Sequence, residues 1–433
     1  MAIMQESSVV SQRRVYLILA FCAILSSTFP VIAQEAPKKS TARDTVEAAN
    51  LEFALTSEEI DALRAQTFDI LLKTGKKETG ATLVEFLRNK QLPDRFRSLE
   101  FTPEGGKRNK KISTELVFQI EQGETVYEVA SLPIQRYHVL VDVKKRNDAI
   151  RTRLEATGEQ FWAPLTPEDA QKHIAEEKTF LEGVAKHFST LPMQLHETEY
   201  FLFLSDMPPA QVAPYVKQLD KMNEALGQSF GFPPGHNVWR GKAVIVVFVN
   251  LLAFQEFEVQ FMKNSDFGGA QGLCHQFGDG RVVTACYRGD SPEFLGAVLV
   301  HETAHGYLHR YRTTSHVVTW LNEGIADWIA GVAVPSTPEI RRRQQEAANR
   351  LRQSGSFQQQ FYTSEDLESW QYGAASSIVQ MLIQANPQQF QLFFNGVKEG
   401  YTWQDSLMRA YGMTPEELTI AYGQRIGLPR LTP

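Results

Sequence analysis

Two short runs hold the side chains able to do chemistry together: Val300-His301-Glu302-Thr303-Ala304-His305 and Trp320-Leu321-Asn322-Glu323-Gly324-Ile325-Ala326-Asp327. His301 and His305 are four apart, so on a helix both imidazoles leave one face, a turn apart. That is a separation a tetrahedral zinc ion can bridge. Glu302 follows the first histidine and can reach a water at the metal without ligating it. In the second run Glu323 and Asp327 are again four apart on one face, among apolar neighbours. Buried carboxylates are costly unless a cation meets them. A zinc site accounts for both, with Glu323 as third ligand and Asp327 as acceptor for the N–H of a ligating imidazole.

The pattern resembles the gluzincin metallopeptidases: His-Glu-x-x-His, then Asn-Glu on a second helix with an acid four residues later, as in thermolysin-like enzymes. Zinc aminopeptidases share the Asn-Glu-Gly form seen at Asn322-Glu323-Gly324. A metzincin would need Gly and His where this chain has Leu308 and Tyr311, so that class fails. His309 and His316 are expected to support the site from behind or to lie on the surface, since three protein ligands and a water complete a catalytic zinc. The run from Gln371 to Leu382 resembles the aminopeptidase-like helix that opens with an oxyanion-stabilising tyrosine. The resemblance gives Tyr372 that role, with Tyr362 and Tyr401 as fallbacks. Zinc aminopeptidases also carry a glutamate for the substrate amine in an upstream strand. The corresponding stretch, Gly268 to Gly272, has none, which favours an endopeptidase. The resemblance implies one Zn²⁺ per chain, a peptide or protein substrate, and Glu302 as general base. The alternative is an exported binding or structural protein with an inactive peptidase-like domain.

Several elements must position these groups. Leu295, Val298 and Leu299 give the His301 helix a buried face. Upstream, residues 165–433 read as the metallopeptidase-like domain: a helix from about Pro167 to Phe188, a strand at Glu199–Leu204, a helix Pro214–Phe230 and an apolar strand Ala243–Val249. This order suggests a mixed sheet flanked by helices. Cys274 and Cys286 bracket a Gly278-Asp279-Gly280 turn, and a hairpin there is expected to bring them together as a disulfide. Residues 56–160 read as a small N-terminal α+β unit of unknown role. It should hold a helix capped at Thr56 that carries Ile60, Leu63, Phe68, Leu71 and Leu72, a short helix around Thr82–Asn89, and strands from Ile112 to Val143. The expected class is therefore α+β, with a mostly helical C-terminal part.

The first thirty-three residues read as an export signal. Arg13 and Arg14 precede the apolar run Val15–Phe29, and Val31-Ile32-Ala33 offers cleavage before Gln34. An uncleaved anchor helix is the alternative, and the Arg13-Arg14 pair leaves the Sec and twin-arginine routes both open. Residues 34–55 then form a flexible leader. The chain of 433 residues carries 44 basic and 50 acidic side chains, a net charge of −6 that gives a nucleic-acid partner no support. The implied product is exported to a periplasmic, cell-surface or extracellular location, with no membrane span unless the signal stays attached.

Overall fold

The computed structural model describes residues 42–132, 135–233, 235–357 and 360–432. The expected signal, its cleavage point and leader residues 34–41 lie outside them, whereas residues 42–55 of the expected leader are described and are largely helical. Helix α1 (Ala42–Leu51) is followed by α2 (Ser57–Ala62), which Thr56 caps reciprocally with Glu59. There the expected first helix stops. Ala65 turns the chain at a positive φ of 60°, and Phe68, Leu71 and Leu72 belong to a strand, β1 (Thr67–Leu72).

Six further strands follow: β2 (Lys77–Arg88), β3 (Phe96–Thr102), β4 (Lys110–Ser113), β5 (Val117–Gln122), β6 (Thr125–Leu132) and β7 (Tyr137–Asp142). The helix expected around Thr82–Asn89 is a correction, because this segment is the body of β2. Its inward residues are Ala81, Leu83 and Phe86. A bulge between Leu83 and Glu85 inserts one residue, so a period of two becomes a spacing of three that imitates a helix. Pairing runs β2-β1-β5-β6-β7-β3-β4, all antiparallel, and β2 also pairs with β3. Six strands thus close into a small barrel filled by Phe68, Phe86, Phe96, Leu99, Val117 and Ile120. The join of β3 to β7 is one bridge, Phe96 to His138.

Helix α3 (Val143–Thr157) leads to α4 (Pro167–His187), β8 (Gln194–Glu197), β9 (Phe201–Ser205), α5 (Pro209–Ser229), β10 (Ala243–Phe248), α6 (Leu251–Phe257), β11 (Gly272–Gln276) and β12 (Val282–Tyr287). The second sheet has the order β11-β12-β10-β9-β8, parallel at its centre and antiparallel at both edges. Every residue of β9 and β10 is buried, as two-sided helical cover requires. One face packs on α4 and α6 through Leu181, Val184, Phe254 and Phe257. The other receives α7 (Pro292–Arg310), capped by Ser291 with Pro292 in its first turn.

The remainder is helical: α8 (Thr319–Ala333), α9 (Glu339–Ser354), α10 (Ser369–Ala385), α11 (Pro387–Lys398), α12 (Trp403–Tyr411) and α13 (Pro415–Arg425). The protein is α+β, as its pattern implied. Among the described residues no helix is long and apolar enough to cross a membrane.

Candidate metal centre

Helix α7 lies on β11 and β12 and presents His301 and His305 on one face. Helix α8 crosses it and brings Glu323 and Asp327 opposite. The connection 311–318 between them is fixed by Lys398 at the end of α11, whose buried ammonium donates to the carbonyl of Ser315 at 2.8 Å. Close helix contact does the rest. Gly324 faces the Ala375 carbonyl, which a Cβ would meet at 2.8 Å, and Gly373 lies directly on the Arg343 backbone. Helices α8 and α9 therefore seat against α10, the helix that carries Tyr372.

His301 Nε2, His305 Nε2 and Glu323 Oε2 converge. The two nitrogens are 3.1 Å apart, and the oxygen lies 3.1 Å from His301 and 3.4 Å from His305. Among the described residues this is the one group of three potential metal ligands gathered so closely. Zinc bonds of about 2.0–2.2 Å in a tetrahedron set ligand atoms about 3.3–3.6 Å apart, close to what is seen. The far sides of the rings are held as well. His301 Nδ1 lies 2.8 Å from Asp327 Oδ1, and His305 Nδ1 lies 3.1 Å from Asn322 Oδ1. Each Nδ1 therefore carries the proton, and each Nε2 offers a lone pair inward.

Glu323 Oε2 is buried and makes no hydrogen bond, although both imidazoles approach within ion-pair distance. The angles are wrong for N–H donation, whereas three acceptors aimed at a common point suit a cation. The electrostatics agree. Burial disfavours the charge on Glu323, yet His305 and His301 outweigh it and hold the carboxyl well below its ordinary range. Asp327 is likewise pulled below its range against its burial, by His301 and Arg343. Burial also works against a charged His301, but Asp327 and Glu323 outweigh it, so positive charge is favoured there, as a proton or as a metal. The residues present fit a zinc ion.

A cleft of about 520 Å³ opens over this centre, lined by Glu302, Tyr372 and Arg343 and walled by Leu273, Phe294, Val298 and Ile340. Glu302 has no hydrogen-bonding or ionic partner among the described residues. Burial raises its pKa, and the two histidines only partly offset this. Such a carboxylate takes up a proton more readily than an exposed one. The Tyr372 ring centroid lies 6.5 Å from that of His301, and burial beside Glu323 and Asp327 pushes its hydroxyl up to about 12. It stays protonated and able to donate.

The fallback tyrosines are elsewhere. Tyr362 bonds Thr419 at 2.9 Å in the core, and Tyr401 lies between the guanidinium groups of Arg153 and Arg409. His309 faces the Phe277 carbonyl and the Trp162 ring, and His316 is exposed. The expected disulfide is corrected: Cys274 and Cys286 are free thiols. The hairpin forms, but its register sets Cys274 opposite Thr284 and Cys286 opposite Gly272. A diagonal pair of this kind sits about 7–8 Å apart, beyond the usual reach of a disulfide.

Two site residues had escaped the sequence. Asn322 was visible only as part of a motif, with nothing to say that its oxygen orients His305. Arg343 belongs to no motif; it donates to Asp327 at 3.0 Å and lines the cleft. Only the crossing of α9 over α8 reveals it. No protein-family profile and no curated protein matches this chain.

Proposed function

We propose that the protein is a zinc-dependent peptidase that hydrolyses peptide bonds within a chain. The observation that carries this reading is the trio of inward lone pairs on His301, His305 and Glu323, beside a carboxylate, Glu302, left without a partner. Zinc bound there supplies Lewis acidity and makes water a competent nucleophile near neutral pH. Glu302 then takes the proton of the attacking water and returns it to the leaving amine, a role its raised pKa suits. Tyr372 donates its hydroxyl to the oxygen on which charge develops. Asp327 and Asn322 keep both imidazoles in the required tautomer.

A peptide substrate is supported by the edge strand β11. It borders the cleft, and among the described residues β12 is its one strand partner, which leaves its other side for an extended chain. Of the carboxylates lining the cleft, Glu323 and Asp327 belong to the metal centre, Glu302 is the base and Glu339 is ion-paired with Arg342 at 2.6 Å. None is left to anchor a substrate's terminal ammonium, which supports endopeptidase action and agrees with the gluzincin resemblance. Export of the protein is proposed from its N-terminal sequence alone.

The test is hydrolysis of an unstructured polypeptide by the purified protein. Activity that a chelator abolishes and zinc restores is expected. A folded, zinc-loaded protein without turnover would leave the inactive-domain alternative standing.

A further inference from the structure

Where the barrel meets the end of α7, a hollow of about 720 Å³ opens that shares no lining residue with the metal-centre cleft. Segments 161–167 and 230–241 form much of its wall, and its volume is that of a small-molecule site. Phe118, Trp162, Leu165, Phe232, Trp239 and Tyr311 give it apolar and aromatic surfaces.

The charged groups in this lining are paired, with one exception. Arg146 meets Glu128 at 2.6 Å, and Arg312 meets Glu399 at 2.7 Å. Arg310 is left over. It is only 7% exposed, and among the described residues no carboxylate lies within ion-pair distance of it. Its guanidinium stacks on the Trp162 ring at 4.5 Å, and Nε donates to the Val238 carbonyl at 3.0 Å. Gly280, at a φ of 84°, makes room for Nη1, because a Cβ there would overlap that nitrogen. Nη1 and Nη2 donate to no acceptor among the described residues, yet neither is sealed from solvent. Asp279 attracts Arg310 from farther off, but Arg240 engages that carboxylate at 2.6 Å and itself repels Arg310. Burial accordingly lowers the Arg310 pKa to about 10. A guanidinium this buried, with its terminal donors unused, is costly until an acceptor reaches it.

We infer that this hollow is a binding site for a small monocarboxylate with an apolar body, its carboxylate received by the terminal nitrogens of Arg310 and its body lying against Leu165 and Phe232. The guanidinium fork matches the two oxygens of a carboxylate. One uncompensated positive charge calls for one negative charge, and the aromatic walls suit the rest of the ligand.

Calorimetric titration of the full protein with 3-phenylpropanoate tests this; 3-phenylpropanol lacks the charge and propanoate lacks the ring. 3-Phenylpropanoate is expected to bind saturably, and each control about tenfold or more weakly, for want of a charge-assisted bond or of buried apolar area. Arg310→Met, confirmed as folded by thermal melting, should weaken 3-phenylpropanoate about tenfold or more. Leu165→Glu does not disturb the packing of Arg310 on Trp162; it places a competing carboxylate in the hollow and should weaken the same probe. A chelator should leave the affinity unchanged, which separates this site from a carboxylate landing on zinc and keeps the result independent of the peptidase reading. Absence of saturable binding, equal affinity for the alcohol, loss of binding with the chelator, or undiminished affinity in folded Arg310→Met or Leu165→Glu would overturn the inference.

Discussion

Replacing Asp327 by asparagine changes one buried atom and tests how the metal centre is held. Asp327 Oδ1 accepts from His301 Nδ1 at 2.8 Å, and Arg343 Nη1 reaches both carboxylate oxygens at 3.0 and 3.3 Å. Asparagine keeps one acceptor and converts the other to an NH₂ donor. If its oxygen faces His301, the NH₂ opposes Arg343; if the amide flips, His301 loses its acceptor. Either way one charge-assisted bond is lost, and with it the negative charge that makes the imidazole a better ligand. Loss of such a partner lowers metal affinity by about 10–100-fold, which at 1.4 kcal/mol per tenfold is roughly 1.4–2.8 kcal/mol. Competition for zinc against a chromophoric chelator measures this directly, with thermal melts confirming that the variant is folded. Zinc affinity within twofold of wild type in a folded Asp327→Asn protein would refute the reasoning, since His301 would then need no orienting acid.

Tyr372→Phe should lower kcat by about 10²–10³ with KM nearly unchanged, because the lost bond forms mainly in the transition state; Tyr362→Phe, far from the cleft, should keep its rate. A normal rate for Tyr372→Phe would remove it from the chemistry. At Gly272 an added Cβ would meet Cys286 Sγ at 2.6 Å, Val298 Cγ1 at 2.8 Å and Glu302 Cγ at 3.0 Å. Gly272→Ala should therefore destabilise by about 1–3 kcal/mol and depress turnover while zinc stays bound, as denaturant melts, kinetics and metal analysis would show together. Stability should also fall with acid. Burial holds His138 and His309 at about 4 in the folded protein, against 6.5 when free. Between those values the unfolded chain binds more protons, so their contribution is present above pH 6.5 and is lost as pH falls toward 4. Urea midpoints at pH 7, 5.5 and 4.5 should show this decline, and it should be shallower in a His138→Gln/His309→Gln double variant.

The candidate metal centre was legible because its parts repeat at helical spacing: His301 with His305, and Glu323 with Asp327, each report a shared face without any knowledge of the fold. Tyr372 came from resemblance, and the structure puts it over the centre. Arg343 and the role of Asn322 were hidden because they depend on which helices cross. The elements after residue 165 read well where periodicity was unbroken, as in α4, β10 and α7. Sequence reading failed in the barrel for a definite reason. The bulge in β2 replaced a two-residue period by a three-residue spacing, and the turn at Ala65 divided an apparent helix into a short helix and a strand. The cysteine hairpin was expected correctly, but its register, which decides whether the two sulfurs meet, follows from the length of the connection between β11 and β12 rather than from the cysteines. The barrel's closure through β2–β3 has no local signal at all.

The central claim is that Glu302 is the base at a zinc centre built from His301, His305 and Glu323. Its most direct test measures hydrolysis of an unstructured polypeptide by zinc-loaded wild type and Glu302→Gln at matched metal content. The account predicts one zinc per chain in both proteins, turnover in the wild type, and almost none in the variant. Undiminished hydrolysis by Glu302→Gln, or loss of zinc on that substitution, would contradict it.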